Sequence, residues 1–183
     1  MKKKILYILS HPIQYQSPLI KRLNESKKIE LDVMYESNYS INKYFDHEMN
    51  KNIKFNVNLL DGYNYEFANT NGSKSFFKNI KKFLCLIFQK KYDFVWIHGY
   101  ESFSKLIIII ISKIFFLKVL IRGESSHYNL MNQKKILITF KKFFFYFLNI
   151  FTNYFLVIGK SNYKFYKKMN INNIKLKKLY YVV

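Results

Sequence analysis

Short apolar runs alternate with stretches of helical period along almost the whole chain, and that alternation limits the fold more than any other feature. Ile5–Leu9 is fully apolar, as a strand covered on both faces requires. Ser17–Lys27 then places Leu19, Ile20 and Leu23 at helical spacing and ends in the turn-like NESKK. IELDVMYES alternates apolar and polar positions, which predicts a strand over Ile29–Tyr35. Residues 37–52 are polar and irregular. IKFNVNLL alternates again and stops at Asp61-Gly62, a turn signal.

Beyond Lys74 the period becomes helical. Between Lys74 and Lys91, Phe76, Phe77, Ile80, Phe83, Leu84 and Ile87 fall on one face with lysines opposite. YDFVWIHG predicts a strand, Glu101–Lys113 a helix, and FFLKVLIRG a strand. Lys134–Phe151 predicts a long helix with Ile136, Leu137, Phe140, Phe144, Phe147 and Phe151 inward. YFLVIG reads as a strand, Ser161–Met169 as a helix, and KKLYYVV as a strand that reaches the last residue. Such alternation implies an α/β fold, a parallel sheet with helices on both faces. The 183 residues suit one domain spanning 1–183, and an end in mid-strand reads as the first half of something larger.

Composition narrows the partners. Hydrophobic residues make up 50% of the chain and aromatic ones 20%, enough for a sizeable core. Cys85 is the one cysteine, so no disulfide can form within the chain, and a reducing, cytoplasmic setting is expected. The net charge of +20 comes from lysines spread along the chain, with Arg22 and Arg122 the two arginines. No zinc finger, RNP motif or basic-region helix accompanies them, which argues against nucleic acid. General codon bias explains the excess of Lys, Asn, Ile, Phe and Tyr; an acidic membrane surface is the specific alternative. Met1-Lys-Lys-Lys imitates a signal peptide, but Ile5–Leu9 is too short to serve as its apolar region. Leu106–Ile111, Phe143–Leu148 and Tyr154–Ile158 fall well short of the roughly 20 residues that span a bilayer. The chain reads as non-spanning.

Three strands run from an apolar stretch into a glycine: VWIHG to Gly99 and VLIRG to Gly123, each through a polar residue, and LVIG to Gly159. The first strand ends instead in SHP. In an open parallel sheet the carboxyl ends of the strands line one edge, where ligands bind. His11, His98, Arg122 and Glu124 are therefore expected to converge on one rim. Any one of these glycines can do no more than end a strand; three exits carrying His, Arg and RGESSH point to a site. Arg122, in a chain where lysine is the default cation, suits bidentate recognition of a carboxylate, phosphate or sugar diol. A structural salt bridge to Glu124 or Glu101 is an equal alternative. In the first loop, Pro12 and Pro18 fix the backbone while His11, Gln14, Tyr15 and Gln16 offer donors, acceptors and a stacking face. That equipment fits a hydroxyl-rich ligand. G-x-G-x-x-G, the P-loop motif and zinc-spaced Cys/His clusters are absent, and GKSNY is not G-x-S-x-G. No cofactor or metal is expected, and His47, in the irregular YFDHEM segment, reads as a surface histidine.

ILSHPIQYQSPLIKRL, with Gly62-Tyr63 further on, resembles the N-terminal domain of family-four, GT-B-fold glycosyltransferases, which occur in enzymes building bacterial surface polysaccharides. The similarity continues through DFVWIHGYES, VLIRGESSH and FLVIGKSNYKFYKKMNI. The resemblance implies a Rossmann-like domain that grips the acceptor and faces a second, nucleotide-sugar-binding domain. That donor domain, with its paired-glutamate motif, is expected to be missing. The family's first-strand loop and histidine loop border the reacting sugar, which maps onto His11–Gln16 and His98. Gly99, the exit at Arg122, Gly123, Glu124 and Ser125, and the turn from Gly159 to Asn162 would complete the rim. The implied reaction transfers a sugar from a nucleotide-sugar donor to a lipid-linked or polysaccharide acceptor, with His98 against the donor sugar and His11 and Gln16 positioning. The chain would be a half or truncated enzyme. One alternative is a non-catalytic, glycan-binding remnant. In another, the basic amphipathic helices Lys74–Lys91 and Lys134–Phe151 lie on acidic lipid at the inner face of the membrane; simple packing of both helices on the sheet is the plainer expectation.

Overall fold

The computed structural model describes residues 2–41, 44–46, 50–53, 58–72, 74–131 and 133–179. The elements in chain order are β1 (Lys3–Leu9), α1 (Ser17–Asn24), β2 (Ile29–Tyr35), β3 (Tyr44–Asp46), β4 (Lys51–Ile53), β5 (Asn64–Phe67), α2 (Phe76–Gln89), β6 (Phe94–His98) and α3 (Phe103–Ile114). There follow β7 (Lys118–Arg122), the single turn α4 (Tyr128–Met131), α5 (Lys135–Phe151), β8 (Tyr154–Val157), α6 (Lys160–Lys168) and, after a 3-10 turn, β9 (Leu176–Lys178). Seven strands form one sheet in the order β5-β2-β1-β6-β7-β8-β9, and β3 pairs with β4 in a separate antiparallel ribbon. The expected α/β, Rossmann-like parallel sheet is the fold observed. By its internal packing the chain divides into two compact units, residues 1–95 and 96–181.

In the first unit, Leu6–Leu9 of β1 are fully buried, which is why this strand reads as an unbroken apolar run. β1 and β2 pair in parallel with Lys3 opposite Ile29 and Leu9 opposite Tyr35. Pro18 sits in the first turn of α1, where its missing N–H costs nothing, and Leu19 and Ile20 turn inward. β5 follows the Asp61-Gly62 turn, where Gly62 adopts φ 86°. Its sequence, NYEF, alternates polar and aromatic positions over four residues only and is mostly exposed, too short a run to be read as a strand. The expected IKFNVNLL strand, residues 53–60, shares only Ile53 with β4; residues 54–57 and His47 lie outside the described residues, and Leu59 to Gly62 form a turn.

α2 keeps most of the expected face, with Phe83 buried and Phe76, Ile80, Leu84 and Ile87 half-buried, but is turned so that Phe77 is left out. Asn79, Phe83 and Leu86 are buried, whereas Phe77 is exposed. The reason is polar. Asn79 Nδ2 donates to Glu36 Oε1 (3.0 Å), and Asn79 Oδ1 accepts from Asn69 Nδ2 (2.9 Å), so an asparagine shares the inner face with Phe83.

In the second unit β8 pairs in parallel with both β7 and β9. Ser102 caps α3 by accepting from the Lys105 N–H, and β9 ends at Lys178, with residues 180–183 outside the described residues. α5 corrects the sequence reading most sharply. Its buried residues are Phe145 and Leu148. Ile136, Leu137, Phe140 and Phe147, expected inward, are exposed, and Phe144 and Phe151 are half-buried. α5 is apolar on nearly all sides, so periodicity could not choose the inner face; the edge-to-face contacts of Phe145 with Tyr100 and Phe165 (ring centroids 5.2 and 5.3 Å apart) occupy it.

Candidate functional site

In the second unit the strand exits of β6, β7 and β8 are tied together by side chains. β6 ends at His98, which is only 8% exposed, and its Nε2 lies 3.5 Å from Glu124 Oε1 just past β7. Gly99 then turns the chain with φ 77°, and its N–H donates to the Arg122 carbonyl at 2.7 Å. The positive φ favours glycine here, and a Cβ would also displace the Glu101 carboxylate from its place. Gly123 has a different reason for lacking a side chain: the ring of Tyr100 occupies that space.

Asn162, near the start of α6, makes the second tie. Its Nδ2 donates to the carbonyls of Gly123 (3.0 Å) and Ser125 (2.7 Å), and its Oδ1 accepts from the Ile158 N–H at 3.2 Å. One buried amide thus fixes the exits of both β7 and β8. Ser125 bonds the Tyr100 hydroxyl, and Ser126 Oγ lies 2.7 Å from Ser161 Oγ. Arg122 has no exposed surface, so its guanidinium acts from beneath the exit rather than as a fork offered to solvent. Glu124, by contrast, is exposed.

Several residues that sequence reasoning passed over hold this arrangement. Lys105 of α3 is fully buried; its ammonium donates to the His98 carbonyl and to Glu101 Oε1, both at 2.6 Å. Burial works against a charged Glu101, but the Lys105 ammonium outweighs it and holds the carboxyl below its ordinary value. Tyr166 accepts from the Gly123 N–H at 3.2 Å, and burial pushes its phenol well above the usual range. Burial likewise raises Tyr100, to about 12. A lysine inside an apolar helix gave the only hint: SKLIIIIISK puts Lys105 where α3 packs on the sheet. Beside the third exit, a cleft of about 440 Å³ is lined by Val157, Gly159, Lys160, Tyr163, Lys164 and Lys178, and its three lysines suit an anionic group.

The first unit holds the remaining expected residues. His11 is half-buried, with Nδ1 3.0 Å from Ser10 Oγ and its ring edge-on to Tyr39 at 5.8 Å. Gln14 and Tyr15 are exposed. Gln16 is fully buried, and its Oε1 accepts from the Tyr7 hydroxyl at 3.3 Å, so it shapes the loop from within. Ser17 Oγ donates to the Leu59 carbonyl at 2.8 Å, and Ser40 donates to the Pro12 carbonyl. At the end of β2 sits a buried set the sequence did not reveal: Glu36 with Asn69 and Asn79, the Asn69 amide also donating to the Glu36 carbonyl at 2.7 Å. Among the described residues no group of three His, Cys, Asp or Glu side chains could hold a metal ion.

No protein-family model matches the chain, and no curated protein matches it closely enough to count as a relative. Solved structures do. A lipopolysaccharide outer core galactosyltransferase, WaaB, in its apo form superposes with a TM-score of 0.60 at 16% identity, over 97% of this chain and 45% of that one. Anabaena Alr3699/HepE in complex with UDP and glucose superposes with a TM-score of 0.56 at 11% identity, over 99% of this chain and 45% of that one. The same protein in complex with UDP gives 0.52 at 12% identity, over 100% and 44%. The chain thus spans less than half the length of the proteins it matches. What the likeness establishes is architecture: this chain has the α/β, Rossmann-like fold of one half of a GT-B glycosyltransferase.

Proposed function

We propose that the chain is the acceptor-side half of a glycosyltransferase that uses a nucleotide-sugar donor. The observation that carries this reading is the superposition of nearly the whole chain on one half of a galactosyltransferase, together with a second such match solved with UDP and glucose. Sugar transfer needs the acceptor hydroxyl held against the anomeric carbon and the departing nucleoside diphosphate stabilised. A scaffold of strand exits locked by Lys105, Asn162 and Tyr166 supports the first task, since it leaves His98 and Glu124 little freedom. In this reading His98 hydrogen-bonds the donor sugar, with Glu124 orienting its ring. His11 and the exposed Gln14 and Tyr15 contact acceptor hydroxyls, Tyr15 by stacking, and Gln16 keeps their loop in place. Stabilisation of the diphosphate falls to a donor-binding half. The acceptor is a lipid-linked or polysaccharide glycan.

The test is release of UDP from UDP-sugars by the full-length natural product, with a panel of glycan acceptors, comparing the native protein with His98→Ala. Turnover lowered by at least about a hundredfold with an unchanged unfolding midpoint is the expected result. Equal losses of turnover and stability would make His98 structural. Glycan binding with no UDP release from any donor would replace the enzyme by a binding domain.

A further inference from the structure

α5 is a helix of 17 residues with only Phe145 and Leu148 buried. Its outer face carries Ile136, Phe140, Phe143, Tyr146, Phe147 and Ile150, all exposed, Phe143 at 74%. Exposed apolar residues scattered singly mean nothing, but a continuous stripe on one helix marks a surface that binds something apolar. The turn after α3 adds one more exposed ring near the end of this helix. Lys113 Nζ bonds Asn153 Oδ1 at 3.2 Å, which brings that turn to the C-terminal end of α5. There Phe116 is 95% exposed and holds φ 58°, a left-handed conformation that bulky side chains avoid.

Charge decides what covers this face. From Ser125 to Val183 the chain has eleven lysines and no aspartate or glutamate. Lys134 and Lys135 stand exposed at the start of α5, and Lys141 and Lys142 are half-buried on its flanks, from where long stems can carry their ammonium groups to a polar layer. A second copy of this chain packed through the same face would bring the same acid-free stretch, residues 125–183, against it, cation facing cation. An anionic bilayer offers both complements at once: hydrocarbon for the aromatic stripe and phosphate for the lysines. Among the described residues no helix is long and apolar enough to cross a membrane, so α5 would lie on the surface instead of spanning.

We propose that the exposed face of α5, with Phe116 and its flanking lysines, is a docking surface for an anionic lipid bilayer. Phe140, Phe143 and Phe116 enter the headgroup boundary, and the lysines pair with lipid phosphates. The inference stands apart from the glycosyl-transfer reading, because it needs no donor and no turnover.

Co-sedimentation with vesicles tests it, using the full-length natural product, vesicles of phosphatidylcholine and phosphatidylglycerol in equal parts, and vesicles of phosphatidylcholine alone. Binding to the anionic vesicles should be at least about tenfold tighter and weaken as salt is raised. Phe140→Glu with Phe143→Glu should lower it by at least about tenfold while the circular-dichroism melt stays in place, since both rings are already in solvent. No binding at low salt would overturn the proposal, whether the face is bare or covered by another part of the chain. Equal affinity for both vesicles, or binding untouched by the double substitution, would overturn it as well. So would a dimer that the same substitution dissolves, because the occupant would then be a second copy.

Discussion

The Lys105 ammonium lies 2.6 Å from the His98 carbonyl oxygen, inside the second unit and with no exposed surface of its own. A buried charge survives only where hydrogen bonds replace water, and here the His98 carbonyl and the Glu101 carboxylate do so. The exit of β6 is therefore anchored from α3 rather than by the sheet alone. Lys105→Met keeps the stem and deletes the anchor. It should destabilise the protein by about 2 kcal/mol in urea unfolding and speed hydrogen exchange at the Gly99 amide, which bonds the Arg122 carbonyl. A stable variant with unchanged exchange would mean that the ammonium is dispensable.

Gly99 and Gly159 both follow apolar strands but face different constraints. Gly99 has φ 77° and the Glu101 carboxylate where a Cβ would go; Gly159 is extended, with nothing within 4 Å of that point. Gly99→Ala should cost about 1–3 kcal/mol in a denaturant titration. Gly159→Ala should stay within about 0.5 kcal/mol of the native protein. Equal effects would refute the distinction.

Asn162 satisfies three backbone groups with one side chain, so Asn162→Ala strands the Gly123 and Ser125 carbonyls together. A loss of about 2–3 kcal/mol is expected by thermal and urea unfolding, larger than most surface polar substitutions give. A loss under about 0.5 kcal/mol would show that water replaces the amide freely.

Asp32 in β2 is nearly buried and accepts from Lys90 (2.7 Å), Tyr92 (2.8 Å) and Asn64 (3.3 Å). Burial pushes its pKa up, but these donors and the Lys90 charge outweigh burial and leave the carboxyl below its ordinary 3.8. A lowered value in the folded state means the unfolded chain takes up the proton first. The contribution to stability is thus complete above the ordinary value and disappears as pH falls through it towards the folded value. Asp32→Asn should lower stability by about 1–3 kcal/mol at neutral pH and flatten the acid limb of a stability-against-pH curve. An unchanged acid limb would assign that limb to other carboxylates.

The strands of the sheet that read as apolar runs (β1, β6, β7 and β8) were legible because burial on both faces leaves no room for polar positions. β5 was not, since the four residues of NYEF, on an exposed edge, are too few for their alternation to stand out. Of the site, the glycine exits, His98 and Glu124 could be named from the strand endings, and Asn162 only from the family resemblance. Lys105, Tyr100 and Tyr166 could not, because each acts on a strand exit remote from it in the chain or on a carbonyl that sequence never marks.

By itself, then, the order of apolar and helical segments determined an α/β chain with a parallel sheet, for hydrophobic period is a local property that each segment carries alone. Which side of each helix lies inward was decided only in three dimensions. In α2, the hydrogen bonds of Asn79 to Glu36 and Asn69 bring that asparagine inward beside Phe83 and leave Phe77 in solvent. In α5, a helix apolar almost all round, the aromatic packing of Phe145 chose the buried side and left Phe140 and Phe143 in solvent. Rotation of a helix about its axis depends on its neighbours, and neighbours exist only once the chain has folded.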